Sequence, residues 1–253
     1  MTEGNQHMEP TICPVCNEPF LVFVTHKKTV RTLRDLPVYG CLACQSFSNP
    51  SGYVESMAQM ANDLEWHKNV AERNDKATDA LFLELLARNV DISRIVDIGA
   101  GIGTLLKTAK KYGSVGIGYE VNPLTQPYAR EVNDVDVRAE FWDTETPTGP
   151  FSLMVCIMVL EHIVTPRDLL RNMVTACKAN GAALFVSVPF MDRNRWHFLH
   201  DSDPRSPGTQ FFDNDVHVTH FSSMAMENLL REFGMMSVEW IRKGLWHGPL
   251  ARP

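Results

Sequence analysis

Four cysteines near the amino terminus are the first residues whose spacing implies chemistry. Cys13 and Cys16 lie in "CPVCNEPF", and Cys41 and Cys44 lie in "CLACQSF". A C-x-x-C pair puts two thiolates on one tight turn, and two such turns can close a tetrahedral set of sulfurs around Zn²⁺. Four thiolates leave no position for water or substrate, so such a metal is structural. A unit this short buries too little apolar surface to fold unaided, and ligation would supply much of its stability. A redox role is the competing reading, but a thioredoxin-like C-x-x-C follows a βαβ strand and needs no twin.

A second constellation begins at "VDIGAGIG", residues 96–103. The apolar run "RIVDIG" reads as a strand, and it passes through glycines into "TLLKTAKKYG", a helical pattern closed by Gly113. Strand, glycine turn and helix is the arrangement in which backbone approaches a ligand closely. A second strand, "SVGIGYEV", delivers Glu120 where a carboxylate can accept two hydrogen bonds from a ribose diol. The dinucleotide fingerprint wants a small residue at position 104, and this chain has Thr104. Asp97 is a poor neighbour for a pyrophosphate and a good one for an ammonium. Together Asp97, Gly99, Gly101 and Glu120 favour an adenosine ligand without phosphates, S-adenosylmethionine being the candidate; a dehydrogenase is the rival enzyme. The run "VDVRAEFWD" brings Glu140, Phe141, Trp142 and Asp143 to the same edge, where an aromatic face and a carboxylate could hold adenine. Each of the two aromatics could equally be core.

The third constellation is histidine-rich. "FSLMVCIMVL" is almost wholly apolar, as a strand buried on both faces must be, and it ends in Glu161 and His162. Open α/β sheets bind their ligands at that carboxyl edge. Thr165, Pro166 and Asp168 then form a predicted capping box for a helix that stops at Gly181. After the strand "ALFVSVP", residues 190–220 show no secondary-structure period and hold Trp196, His197, His200, Asp201, Asp203, Asp213, Asp215, His217 and His220. A loop of that length is usually functional. His162 and His217 are the candidate general bases, because imidazole titrates near neutrality; a structural hydrogen bond is the other role open to His162. Arg193, Trp196, His197 and His200 are the candidate acceptor contacts, suited to a sugar face with negative charge. Arg193, Arg195 and Trp196 could instead clamp the loop, and a second divalent ion on these His and Asp residues is a further alternative.

The remaining elements must position these groups. "FLVFVTHKKTVRTLRDLPVYG" reads as a hairpin between the cysteine turns. Residues 51–90 have helical spacing, with Met57, Met60 and Leu64 on one stripe, Leu81, Leu85 and Leu86 on another, and a break or exposed turn at "AERND". Trp66, His67 and Arg73 either face a substrate or are packing and solvated residues. Ser222 is set to cap "SMAMENLLREFG", with Met226, Leu229, Leu230 and Phe233 as its core stripe. "SVEWIRKG" reads as an outer strand, and the tail "LWHGPLARP" as a pocket cover or a surface segment.

As a set, "VDIGAGIG", Glu120, "VLEHIVTPRDLL", the Asn180–Gly181 pair, "VSVP" and "HVTHFSSMAMENLLREFGM" resemble the class I S-adenosylmethionine-dependent methyltransferases over about 91–240. The resemblance implies an α/β fold, a Rossmann-like doubly wound seven-stranded, mostly parallel sheet. A small zinc ribbon (1–50) and a helical bridge or cap (51–90) would precede the methyltransferase domain (91–253), whose acceptor loop is 190–220. It further implies Asp97 near the methionine ammonium, Gly99 and Gly101 beneath the methionine moiety and ribose, Glu120 on both ribose hydroxyls, and Glu140 and Phe141 flanking adenine. Ser152, where the family has Asp, and Met158, where it often has an acidic or amide residue, depart from the pattern. The four-cysteine front end is similar to those of methyltransferases acting on sugars, natural products or surface glycans, although some ribosomal-RNA guanine methyltransferases also begin with a small zinc unit.

Composition narrows the choice. The 253 residues carry a net charge of -6, against a broad phosphate-tracking surface, and the one basic cluster, "HKKTVRTLR", is short. No uncharged apolar run reaches the ~20 residues of a membrane span. The polar start "MTEGNQHMEP" does not read as a signal peptide, and Cys156 in a strand and Cys177 in a helix suit a reducing cytoplasm. The expected activity is in-line methyl transfer to a hydroxyl of a sugar, nucleotide-linked sugar or glycan, assisted by a histidine base. Carbon methylation of a nucleotide keto-sugar, ribosomal-RNA base methylation and a non-catalytic zinc-ribbon interaction protein are the alternatives. No oligomeric state follows from the sequence.

Overall fold

The structure, a computed structural model, describes residues 12–29, 35–49, 64–146, 148–200, 211, 216–242 and 245–253, without the side chains of residue 66 and residues 70–73. In chain order the elements are β1 (Leu21–Lys28), β2 (Asp35–Cys41), β3 (Phe47–Ser48), α1 (Leu64–Ala87), β4 (Arg94–Ile98) and α2 (Thr104–Lys110). There follow β5 (Val115–Tyr119), α3 (Thr125–Glu131), β6 (Asp136–Arg138), β7 (Leu153–Ile157) and α4 (Pro166–Asn180). The chain ends with β8 (Ala183–Ser187), β9 (Thr219–His220), α5 (Ser223–Glu232), β10 (Ser237–Ile241) and β11 (Gly248–Arg252).

The main sheet has seven strands in the order β10-β11-β8-β7-β4-β5-β6. Strands β4 to β8 run parallel, and β11 is antiparallel to both its neighbours. Alternation along each central strand divides the core into two layers. Val96, Ile98, Met154, Cys156, Leu184 and Val186 face α4 and α5, whereas Ile95, Leu153, Val155, Ala183 and Phe185 face α1, α2 and α3. Helices on both faces explain why β7 and β8 are apolar throughout. Cys156 and Cys177 are buried, free core residues.

A second sheet has four antiparallel strands in the order β1-β2-β3-β9. The expected hairpin is β1 and β2, with its tip at 30–34 outside the described residues. Within the basic cluster "HKKTVRTLR", Lys27 is buried, and its Nζ donates to the Phe198 carbonyl at 3.0 Å.

Several other expectations change. The "AERND" segment does not break the helix, because α1 runs uninterrupted through it. Met57 and Met60 lie outside the described residues; Leu81 and Leu85 are buried with Phe82, but Leu86 is exposed. Only Asp136–Arg138 of the third predicted strand is extended. Thr165 makes no side-chain capping bond; the carboxylate of Asp168 pairs with Arg171 at 2.8 Å instead. Ser222 does cap α5, accepting from the Ala225 amide at 3.0 Å. Residues 190–220 are not irregular throughout: Arg193–Leu199 forms a 3₁₀ helix and Thr219–His220 is strand β9.

The tail is neither cover nor surface segment, for it inserts as β11 between β8 and β10. Gly248 permits this, since a Cβ there would stand 1.9 Å from the Val186 carbonyl oxygen. Pro249 is tolerated because the ladder with β8 pairs only Leu250 with Phe185 and Ala251 with Leu184. Gly248→Ala should therefore destabilise the fold by about 1–3 kcal/mol or more, read as a lowered midpoint in urea unfolding.

Candidate active site

The glycine turn begins where β4 ends. Gly99 has φ +75°, and a Cβ there would meet Val159 Cγ2 at 2.2 Å, so this backbone position admits no side chain. The amides of Gly99 and Ala100 both donate to the Tyr119 carbonyl, at 2.8 and 3.0 Å, which ties the turn to the end of β5. Glu120 follows immediately, and its carboxylate accepts from the Gly101 amide at 3.1 Å and the Asn122 amide at 3.0 Å. His67 of α1 lies over the turn, with Nδ1 3.1 Å from the position a Gly101 Cβ would occupy.

Asp97 is 4% exposed, beneath the turn. Burial, reinforced by repulsion from Glu120, pushes its carboxyl up to about 7. A cation brought to this position would favour the carboxylate. At the far end of the same edge Phe141 is 55% exposed, and Glu140 stands 3.9 Å from Arg138. Trp142, the other aromatic considered for adenine, is core.

Strand β7 leads into the remaining part of the site. Met158 has φ +57°, an uncommon conformation for a side-chain-bearing residue, and its amide donates to Ser187. Ser152, at the other end of β7, bridges the Arg94 amide and carbonyl at 3.1 Å, a strand-edge role. A single 3₁₀ turn, Leu160–His162, then sets Glu161 beneath His162.

Glu161 is 1% exposed, and among the described residues neither oxygen has a hydrogen-bond partner beyond its own backbone amide. Burial pushes this carboxyl up to about 8. The His162 ring lies 4.8 Å from that of His217, and His217 lies 6.5 Å from His220. Burial, with the neighbouring His217, lowers His220 to about 3, so its ring is neutral.

The loop histidines thus divide into two groups instead of converging. His217 and His220 join His162, whereas His197 and His200 line a separate cleft of about 430 Å³ with Val22, Leu42, Phe47 and Trp196. Trp196 packs edge-on to Phe47 at 5.6 Å, and the Arg193 guanidinium lies 5.5 Å from its ring centre. Arg195 is a clamp, donating to the Phe190 carbonyl at 3.0 Å. Asp201, Asp203, Asp213 and Asp215, and the side chains of Trp66 and Arg73, lie outside the described residues.

The four cysteines of the front end meet. Cys13 and Cys44 sulfurs are 3.7 Å apart and those of Cys16 and Cys41 3.6 Å apart, so each close pair joins the two turns. A Zn–S bond of about 2.3 Å gives a tetrahedral S···S edge of about 3.8 Å, which these distances fit. The cluster is stitched to the histidine segment. The hydroxyl of Ser222 donates to the Cys44 carbonyl at 2.6 Å, the Asn49 amide to the Val218 carbonyl at 3.0 Å, and β3 pairs Phe47 with His220.

A family model described as "Methyltransferase domain" matches residues 66–239. The chain belongs to this family. The mitochondrial ubiquinone biosynthesis O-methyltransferase of Schizosaccharomyces pombe is 25% identical over 104 residues, 38% of each chain. Human N-acetylserotonin methyltransferase, solved with S-adenosylmethionine, superposes with a TM-score of 0.54 at 17% identity over 75% of this chain. Magnesium protoporphyrin IX methyltransferase from Synechocystis, solved with S-adenosylhomocysteine, gives 0.51 at 15% identity over 76% of this chain and 88% of its own. This chain spans 38% of the yeast relative and 55% of the human one. These structural likenesses carry the class I methyltransferase fold.

The residues present fit the methyl donor of this methyltransferase family. Glu120 offers a fixed acceptor at the end of β5, the turn offers bare backbone, and Asp97 gains from a cation. In the free protein the Asp97 pKa of about 7 stands above its unfolded value of about 3.8. The folded state therefore holds the extra proton, and this carboxyl removes stability as pH rises through that window. A ligand ammonium beside Asp97 should reverse the shift. S-adenosylhomocysteine binding should release a proton and tighten between about pH 6 and 8, by up to about tenfold per unit below pH 7. Calorimetry in buffers of different ionisation enthalpy checks both. Chelating a metal from the cysteine cluster should loosen β3 and β9, read as faster amide exchange at 217–220 with unchanged exchange at 95–98.

Proposed function

We propose that this chain is an S-adenosylmethionine-dependent methyltransferase that methylates a hydroxyl of a small molecule, with a sugar, nucleotide-linked sugar or glycan unit as acceptor. The observation that carries the reading is the paired placement at one sheet edge: the glycine turn touches Val159, and Glu161 and His162 follow within three residues. The donor supplies an activated methyl on a sulfonium. The chain must hold it, align the acceptor, exclude water and receive one proton.

Glu120 binds the ribose hydroxyls, Asp97 faces the ammonium, Gly99 and Gly101 lie under the methionine moiety and ribose, and Phe141 and Glu140 flank adenine. His162 and His217 are the proton acceptors. A carbonyl can only accept, so the contact between His162 Nδ1 and the Val216 oxygen at 3.1 Å makes Nδ1 the N–H and leaves the lone pair on Nε2. Trp196 and Arg193 with His197 and His200 offer an aromatic and cationic wall for a sugar bearing negative charge. The O-methyltransferase name of the yeast relative supports oxygen as the acceptor atom. The net charge of -6 speaks against ribosomal RNA.

The four cysteines bind a structural Zn²⁺ within a ribbon, residues 1–50. Residues 51–90 bridge to and cap the methyltransferase domain, 91–253. Among the described residues no helix is long and apolar enough to cross a membrane, and the cytoplasm is the proposed compartment.

Calorimetry and turnover test the reading. Glu120→Ala should weaken S-adenosylhomocysteine binding by about 10–100-fold, the loss of charge-assisted bonds. His162→Gln and His217→Asn should keep donor affinity and lower kcat by about 10²–10⁴-fold with nucleotide sugars as acceptors. Unchanged donor affinity in Glu120→Ala, or full turnover in both histidine variants, would overturn it.

A further inference from the structure

Glu161 poses a question that proton acceptance alone does not answer. The residue is 1% exposed, and among the described residues both carboxyl oxygens lack a partner beyond its own backbone. Buried carboxylates ordinarily pair with a cation or fill their lone pairs with donors. Here the neighbours are two imidazoles. One oxygen of Glu161, one ring nitrogen of His162 and one of His217 all lie within 4.8 Å of each other, and His162 Nε2 is 3.9 Å from Glu161 Oε1. Metal–nitrogen and metal–oxygen bonds of about 2.0–2.2 Å set tetrahedral ligands about 3.3–3.6 Å apart, so side-chain shifts of about 1 Å bring all three into range.

The surroundings have the form of a ligand shell. Imidazoles that bind metals usually give their other N–H to a carbonyl or carboxylate, which fixes the tautomer. His162 does this through the Val216 carbonyl, one residue before His217. One residue after it, the Val218 amide donates to the Glu161 carbonyl at 2.8 Å. His217 is thus stitched on both sides to the two residues it would share an ion with. The His162 side chain keeps 16% exposure, which opens the cluster to solvent.

We propose that Glu161, His162 and His217 bind a first-row divalent cation of borderline character, such as Zn²⁺, Co²⁺ or Fe²⁺. Two imidazoles and one carboxylate suit these ions better than Mg²⁺ or Ca²⁺, which prefer all-oxygen sets. Three protein ligands leave open positions, and an acceptor with two adjacent oxygens, a vicinal diol, matches them. This catalytic role rests on the methyltransferase reading; cation binding does not. A bound cation lowers the pKa of a coordinated hydroxyl. The hydroxyl proton passes to solvent, the O–CH₃ bond forms as the donor S–CH₃ bond breaks, and the histidines then serve as ligands in place of bases.

The test uses the whole protein with its cysteine-bound metal retained, titrated with Co²⁺ alone. Weak visible d–d bands should grow and saturate without the intense near-ultraviolet absorption of cobalt thiolates. Glu161→Gln, which copies a protonated carboxyl in shape, and His217→Asn should each weaken Co²⁺ binding at least about tenfold. S-adenosylhomocysteine affinity and near-ultraviolet dichroism, held in both variants, show that the fold persists; His162→Gln replaces either variant that fails to fold. Unchanged Co²⁺ affinity in the variants, thiolate bands alone, or no saturable signal overturns the proposal. Cobalt binding without S-adenosylhomocysteine binding would keep the metal site and refute the methyltransferase reading, and the converse would refute only the site.

Discussion

The contact between Gly99 and Val159 is the constraint on which the rest of the site depends. A Cβ at Gly99 would overlap Val159 at 2.2 Å, so the backbone after β4 and the segment after β7 pack with nothing between them. Adjacent parallel strands set this up, since Asp97 pairs with Val155 and Ile98 with Cys156. The consequence is that Asp97, Glu120 and the Glu161–His162 pair belong to a single sheet edge. Precise placement of that kind is worth far more to a transfer reaction than any one added contact.

Electrostatics along that edge share one feature. Burial raises Asp97 and Glu161 and lowers His220, so each of the three is driven toward its neutral form. Two buried carboxyls at one edge make it receptive to positive charge, whether an ammonium, a sulfonium or a metal ion. The folded chain accepts that desolvation cost where a ligand can offset it.

The cysteine unit is structurally continuous with the methyltransferase fold. Strand β9 completes its sheet, Ser222 joins the Cys44 carbonyl to the start of α5, and Lys27 reaches Phe198. The four-cysteine unit thus shares its sheet with the strand that carries His220, three residues past His217.

Local rules made much of this legible in the sequence. Apolar runs, glycines and turn residues located β4, β5, β7, β8, α4 and α5, and the cysteine spacing located the four-sulfur cluster, because each depends on neighbours within a few residues. Glu120 was readable for the same reason, standing at the end of a strand a fixed distance past the glycines. Tertiary structure decided the rest. "GPLAR" has poor strand propensity and becomes β11 only because β8 and β10 leave a slot that Gly248 fits. Glu161 stood in plain sight beside His162 without a role, since its burial and its approach to His217 arise from chain returning 54 residues later between Val216 and His162. Pairing across that distance has no local signature, and so the sequence named the histidines while only the fold chose which of them meet.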